Sequence, residues 1–214
     1  MHIYLVRRRN VASGANELDA ALLRLRSFED APQLGARRLR WRMSYVLREA
    51  EGGLGLACVC AATDAQALRE HALAVGLPLD EALRVTSTQA AASFDSTHLY
   101  LVRRRYGRID GTALDRALAA TRHVADDQRA PRIRWLCTYA LCEADGSSGS
   151  ACLYRAADPA ALIDHANRAR LPTGEVTPVL GRVVFRIEPQ GRTLPLAPCH
   201  RPLTVPNRRW RSSP

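Results

Sequence analysis

The chain contains no lysine, and all 31 of its basic residues are arginine. So uniform a choice follows from genome base composition as readily as from function, so arginine abundance alone argues for nothing. Long apolar runs are missing too. No stretch approaches the about eighteen consecutive apolar residues that a membrane-spanning helix needs. There is no Walker loop, dinucleotide glycine fingerprint, HExxH motif or nucleophile elbow. A paired CxxC arrangement is also absent, which excludes the usual structural zinc site. Six cysteines stand at 58, 60, 137, 142, 152 and 199. A first strand starting at His2 leaves no room for a signal peptide, so a cytoplasmic protein with reduced thiols is expected.

The net charge of +10 is unevenly spread, because residues 182–214 carry seven arginines against one glutamate. That segment is read as an extra strand followed by a proline-rich, basic and irregular tail from 187 onward. Nucleic acid is not an expected partner except through this tail. The glycine-aromatic signature of RNA-reading ferredoxin-like sheets is missing. The arginine triplets Arg7–Arg9 and Arg103–Arg105 are read as solvated strand ends, with an anion- or RNA-binding patch as the alternative.

What the sequence does have is a repeat. "HIYLVRRR" at His2 returns as "HLYLVRRR" at His98, and Leu18, Ala21 and Leu22 meet Leu114, Ala117 and Leu118 in the same frame. After a two-residue deletion, Trp41–Glu81 aligns with Trp135–Glu175 at 18 identities in 41 positions, keeping Trp, Tyr, Cys, Asp, His and Pro in one register. Chance does not hold such residues together. Two copies are expected, at 1–86 and 98–181, joined by a linker at 87–97.

Each copy reads in the same order. An apolar β-branched strand leads into a helix with Leu18, Ala21, Leu22, Leu25 and Phe28 on one stripe. A second strand, "LRWRMSYVLRE" or "IRWLCTYALCE", should place Trp135, Cys137 and Tyr139 on one face by simple alternation. A glycine-containing turn gives a third strand, and Asp64 or Asp158 caps a second helix. Fourth strands are expected near Leu83–Thr86 and Thr177–Leu180. The order βαββαβ is ferredoxin-like. Strand one is apolar on both sides, so the fold class expected is α+β, two ferredoxin-like domains forming an intrachain pseudo-dimeric α+β barrel, monomeric as a chain.

The series "CVCAATDAQALREHALAVGLP" and "CLYRAADPAALIDHANRARLP", with "YLVRR" and "RWRMSYV" before it, resembles a family of small bacterial ferredoxin-like domains described as nickel-binding or nickel-responsive. The resemblance covers about 170 residues and implies nickel as the candidate metal. It also implies that the tandem chain replaces a dimer of single domains.

His71 and His165, beside the apolar face of the second helix, have two readings: a boundary imidazole bonded to backbone, or a metal ligand or acid–base group. Cys58 and Cys152 are either small core hydrophobes or thiol donors to the same metal. Trp41, Tyr45, Trp135 and Tyr139 pack the core or line a ligand pocket. His2 and His98 read as solvated strand ends. The leading expectation is a non-catalytic small-ligand or transition-metal binding protein. The alternatives are a cavity enzyme of the α+β barrel monooxygenase or isomerase kind, using His71 or His165, and an interaction module using the tail. If metal binds, Arg170 should weaken the second site relative to the first by like-charge repulsion.

Overall fold

The computed structural model describes residues 1–30, 38–90, 98–125 and 133–184. The first copy supplies β1 (His2–Ala12), α1 (Ala15–Asp30), β2 (Leu39–Arg48), β3 (Leu54–Ala62), α2 (Ala65–Val75) and β4 (Glu81–Ala90). The second repeats the order as β5 (Leu99–Gly107), α3 (Gly111–Ala125), β6 (Ile133–Cys142), β7 (Ser148–Ala156), α4 (Pro159–Arg168) and β8 (Glu175–Val184). This is the α+β class expected, with eight antiparallel strands and four helices. No helix among the described residues is long and apolar enough to cross a membrane. The tail from 185, with Cys199, and residues 91–97 of the expected linker lie outside the described residues. Residues 87–90, also assigned to the linker, are strand.

The chain forms two compact units, whose division falls within the fourth strands: Met1–Ala82 and the end of β8 from Leu180 make one, Leu83–Val179 the other. In the first unit β3 pairs antiparallel with both β1 and β2, as Val6↔Cys58 and Tyr45↔Ala57 record. In the second, β7 likewise lies between β5 and β6, and β8 pairs with β5 through Leu99↔Val179. The fourth strand of the first copy is used here as well: β4 pairs with β6 from Arg84↔Cys142 to Ala90↔Cys137. The fourth strands run to ten residues each, longer than expected.

A bulge corrects the simple alternation in β2 and β6. Register shifts between Trp41 and Met43, and again between Trp135 and Cys137. Trp41 therefore sits on the helix-facing side with Val6, Leu56, Cys58 and Leu68, in a core that Leu25 and Val75 complete. Tyr45, opposite Ala57, lies on the other face with Met43. In the second unit Trp135 joins Cys152, Tyr154 and Leu162 on the helix side, while Cys137 and Tyr139 share the opposite face. One extra residue has reversed the parity that a strict two-residue period would give.

Helices α2 and α4 start as expected and end differently. Asp64 accepts the amide of Ala67 at 2.8 Å, and Asp158 that of Ala161 at 2.7 Å. Gly76 closes α2 at φ 62°, in the left-handed region, with Leu77 N–H donating to Ala72 O at 3.1 Å. The aligned residue after α4 is Arg170, at φ 53°. A side chain there is strained where glycine is not. Arg170→Gly is therefore expected to raise stability by about 1 kcal/mol, read as a higher urea midpoint with unchanged slope; an unchanged or lower midpoint would contradict it.

Candidate functional site

The site begins with an arginine. On β1 the helix-facing positions are Tyr4, Val6 and then Arg8, which registers with Leu56 of the core. Arg8 is consequently 0 % exposed, and Arg104 of β5 is 1 % exposed. This corrects the reading of the triplets as solvated strand ends. Arg7, one residue earlier and on the other face, is buried too and pairs with Glu49 at 2.9 Å. The matching pair Arg103–Glu143 closes at 2.6 Å. Gly55 and Gly149 leave room for these carboxylates, since a Cβ at either would collide with Glu49 or Glu143.

Arg8 has carbonyl partners and the Cys58 thiol beside it. Its Nη1 donates to Pro78 O and, at 3.5 Å, to Leu77 O, while its guanidinium lies 5.7 Å from the centre of the Trp41 ring. Nε and Nη2 have no hydrogen-bond partner among the described residues. Burial lowers its pKa, against the raising influence of Cys58, Cys60 and, more weakly, Asp80.

His71 reaches the same place from α2. It is 1 % exposed, edge-on to Phe28 at 4.7 Å and tilted against Trp41 at 5.5 Å. Neither Nδ1 nor Nε2 has a hydrogen-bond partner among the described residues. The reading of a boundary histidine bonded to backbone is therefore set aside. Burial, and after it the charge of Arg8, bring its pKa down to about 4, so the ring is neutral at pH 7. Trp41 Nε1 donates to Ser44 Oγ at 2.9 Å, and Ser44 Oγ donates to Cys58 Sγ at 3.0 Å. Burial pushes the Cys58 thiol up to about 11, so it remains a thiol at neutral pH.

A pocket of about 140 Å³ opens between α1, α2 and the start of β2. Phe28, Leu39, Ala67 and Ala74 form its apolar wall, and His71 is the buried polar group that lines it. Arg38 and Glu70, bonded at 2.7 Å and both about half exposed, stand at its rim, with Asp64 3.5 Å from Arg38.

The second repeat builds the same cluster with different partners. Tyr154 replaces Cys60, and its hydroxyl accepts from Arg104 Nη1 at 3.2 Å. Burial lowers the Arg104 pKa, but Tyr154 and Cys152 outweigh it and hold the group above its ordinary value. His165, 0 % exposed with both ring nitrogens unpartnered among the described residues, packs edge-on to Tyr154 at 5.2 Å. Burial, Arg104 and Arg168 bring it to about 4. Trp135 Nε1 donates to Thr138 Oγ1 at 2.9 Å, and Thr138 donates to Cys152 at 3.1 Å. Where the first repeat has pocket-lining Ala74, the second has Arg168, held to Asp164 at 3.0 Å. The cation that weighs on His165 from α4 is thus Arg168, not the exposed Arg170 on which the sequence argument relied.

Of the residues singled out from sequence, the structure gathers His71, Trp41 and Cys58 in one core and His165, Trp135 and Cys152 in the other. Tyr45 and Tyr139 lie across the sheet from them. His2 and His98 are exposed. Arg8, Arg104, Glu49 and Glu143 were missed as participants, although each stands at the same position in both copies. The donors do not fit nickel. No group of three or more His, Cys, Asp and Glu that could hold a metal occurs among the described residues. The thiol beside His71 is protonated, and the next charge is the cation of Arg8.

Both imidazoles affect stability in acid. Above pH 6.5 neither the folded nor the unfolded chain protonates them, and their contribution is complete. Between 6.5 and about 4 the unfolded chain binds protons that the folded one does not. Each buried histidine then costs up to about 3 kcal/mol of stability as pH falls through that window. Urea unfolding should show the loss already between pH 6.5 and 5, above the carboxylate range, with a shallower slope in His71→Leu; flat stability over that interval would contradict it.

No protein-family model matches the chain, and no curated protein does; the nickel-family resemblance thus has no support beyond the fold. Among solved structures the chain is similar to a candidate monooxygenase from Lactobacillus acidophilus NCFM, at 9 % identity over 86 % of this chain and 96 % of that one, TM-score 0.48. It is similar to an anthrone oxidase-like protein at 10 % identity over 86 % and 93 %, TM-score 0.47. A chlorite dismutase variant from Candidatus Nitrospira defluvii matches at 7 % identity over 84 % and 90 %, TM-score 0.45. The expectation of a non-catalytic metal-binding protein is corrected on the donor set.

Proposed function

We infer that the pocket of the first repeat is the active centre of a small-molecule enzyme, of the cavity isomerase or monooxygenase kind, with His71 as its acid–base group. The observation that carries this reading is a fully buried, neutral imidazole with two unpartnered nitrogens, lining a pocket. An unpaired buried polar group costs about 1–3 kcal/mol, and a substrate that hydrogen-bonds the ring would remove that cost. The volume suits one ring, since engineered cavities of about 150 Å³ take up benzene.

Chemically, the free ring nitrogen accepts a proton from an acidic C–H or O–H of the substrate, and the imidazolium returns it at another position or to the product. At pH 7 the whole population is in the accepting form, because the pKa lies at about 4. Imidazolium next to Arg8 is unfavourable alone. The transfer creates a substrate anion at the same moment, which offsets that repulsion.

His165 is given no catalytic part, because Arg168 stands where Ala74 opens the first pocket. The test is a turnover screen of single-ring phenols, enols and enolisable ketones. His71→Gln should lower kcat by about 100-fold or more, while His165→Gln leaves it unchanged. The rate should rise with pH through about 4 and stay level to pH 8, following release of the His71 lone pair. Full activity of His71→Gln would overturn the assignment.

A further inference from the structure

The guanidinium of Arg8 is a full positive charge in a closed core, with no carboxylate within ion-pair distance among the described residues. Asp80, which acts on it most weakly, is exposed and accepts instead from the Arg9 amide at 2.7 Å. Its repeat mate shows what is missing. Arg104 donates to a phenol oxygen, and the residue that provides it, Tyr154, is Cys60 in the first repeat. Arg8 therefore keeps two donors, Nε and Nη2, without acceptors, next to an imidazole that keeps both nitrogens free and lines a pocket.

We propose that the pocket of the first repeat selects single-ring anions, such as aromatic carboxylates, with Arg8 on the sheet side of His71 as the counter-charge. The proposal rests on the reading of that pocket as the active centre and names the class of compound it takes. His71 N–H donates to the anion, and Phe28, Leu39, Ala67 and Ala74 enclose the ring. The acidic groups at the rim do not reverse the sign. Glu70 and Asp64 are 49 % and 51 % exposed and share Arg38, whereas Arg8 is sealed from water. A charge acts roughly fourfold more strongly at an effective interior dielectric of about 20 than at the value of water, about 80. Exposed rim charges are screened further by salt. In the second repeat the hydroxyl of Tyr154 already occupies Arg104, and Arg168, paired with Asp164, aligns with Ala74, so one anion per chain is expected.

The experiment compares benzoate with benzyl alcohol, its neutral counterpart, by calorimetry on the full chain at pH 7. The Ala67 and Ala74 methyl resonances report where each compound binds. Benzoate should bind about tenfold or more tightly than benzyl alcohol, at one site, moving both methyl signals. Arg8→Met should erase the preference and keep benzyl alcohol binding. Exchanging a buried charge for an apolar side chain of similar volume is tolerated in folded cores, and the wild-type comparison stands on its own should the variant not fold. Equal affinities, or a benzoate preference that survives Arg8→Met, overturn the anion proposal and leave the pocket reading in place. Binding of neither compound, with unmoved methyl signals, overturns both.

Discussion

A guanidinium enclosed in a sheet-and-helix core must find acceptors or an opposite charge, since an unsatisfied buried ion costs several kcal/mol. Arg8 and Arg104 impose that condition on their repeats, and much of what surrounds them answers to it. The end of α2 turns through Gly76 so that the carbonyls of Leu77 and Pro78 meet Arg8. Trp41 and Tyr154 each offer a ring at under 6 Å, an arrangement that stabilises a cation through the ring quadrupole. The neighbouring histidine stays neutral because it is buried and, after that, because a second cation there would repel the first. The arginines one position earlier point to the opposite face and are neutralised outright by Glu49 and Glu143. Full compensation on one face and incomplete compensation on the other is the electrostatic character of the first repeat.

Duplication then allows the two copies to diverge around a common frame. Both retain the indole, the hydroxyl of Ser44 or Thr138, the thiol, the imidazole and the guanidinium. Two of the substitutions between them bear on the arginine and the histidine. Cys60 against Tyr154 decides whether the arginine has a hydroxyl partner, and Ala74 against Arg168 decides whether an alanine or an ion-paired arginine stands before the histidine. A tandem chain can lose one site without losing its fold, because the second cluster still fills its core.

Much of this architecture was legible in the sequence. The repeated octapeptide, the helical stripe from Leu18 to Phe28 and the aspartates before α2 and α4 gave element order and class, because each rests on local periodicity or a local hydrogen bond. The bulges were not legible. No glycine or proline marks Trp41–Met43 or Trp135–Cys137, and the extra residue is set by register with β3 and β7, a long-range property. Trp135 was therefore placed on one side with Cys137 and Tyr139 when it lies on the other. Arg8 and Arg104 were misread for another reason. Arginine is seldom buried, and three in succession look like a solvated end; only the strand's continuation past them to Ala12 or Gly107 places the middle one inside. The histidines were found by their recurrence in frame, but their freedom from backbone partners depends on Phe28, Trp41 and Tyr154 crowding the ring, which the sequence does not state.

The central claim is that each core holds an unprotonated imidazole against an enclosed guanidinium. Nuclear magnetic resonance titration of the full chain, labelled at histidine carbons and nitrogens, measures it directly. His71 and His165 should remain neutral until pH approaches about 4. Titration of His71 near its ordinary value of 6.5 would mean that the ring is solvated or that Arg8 is not beside it, and would contradict the account.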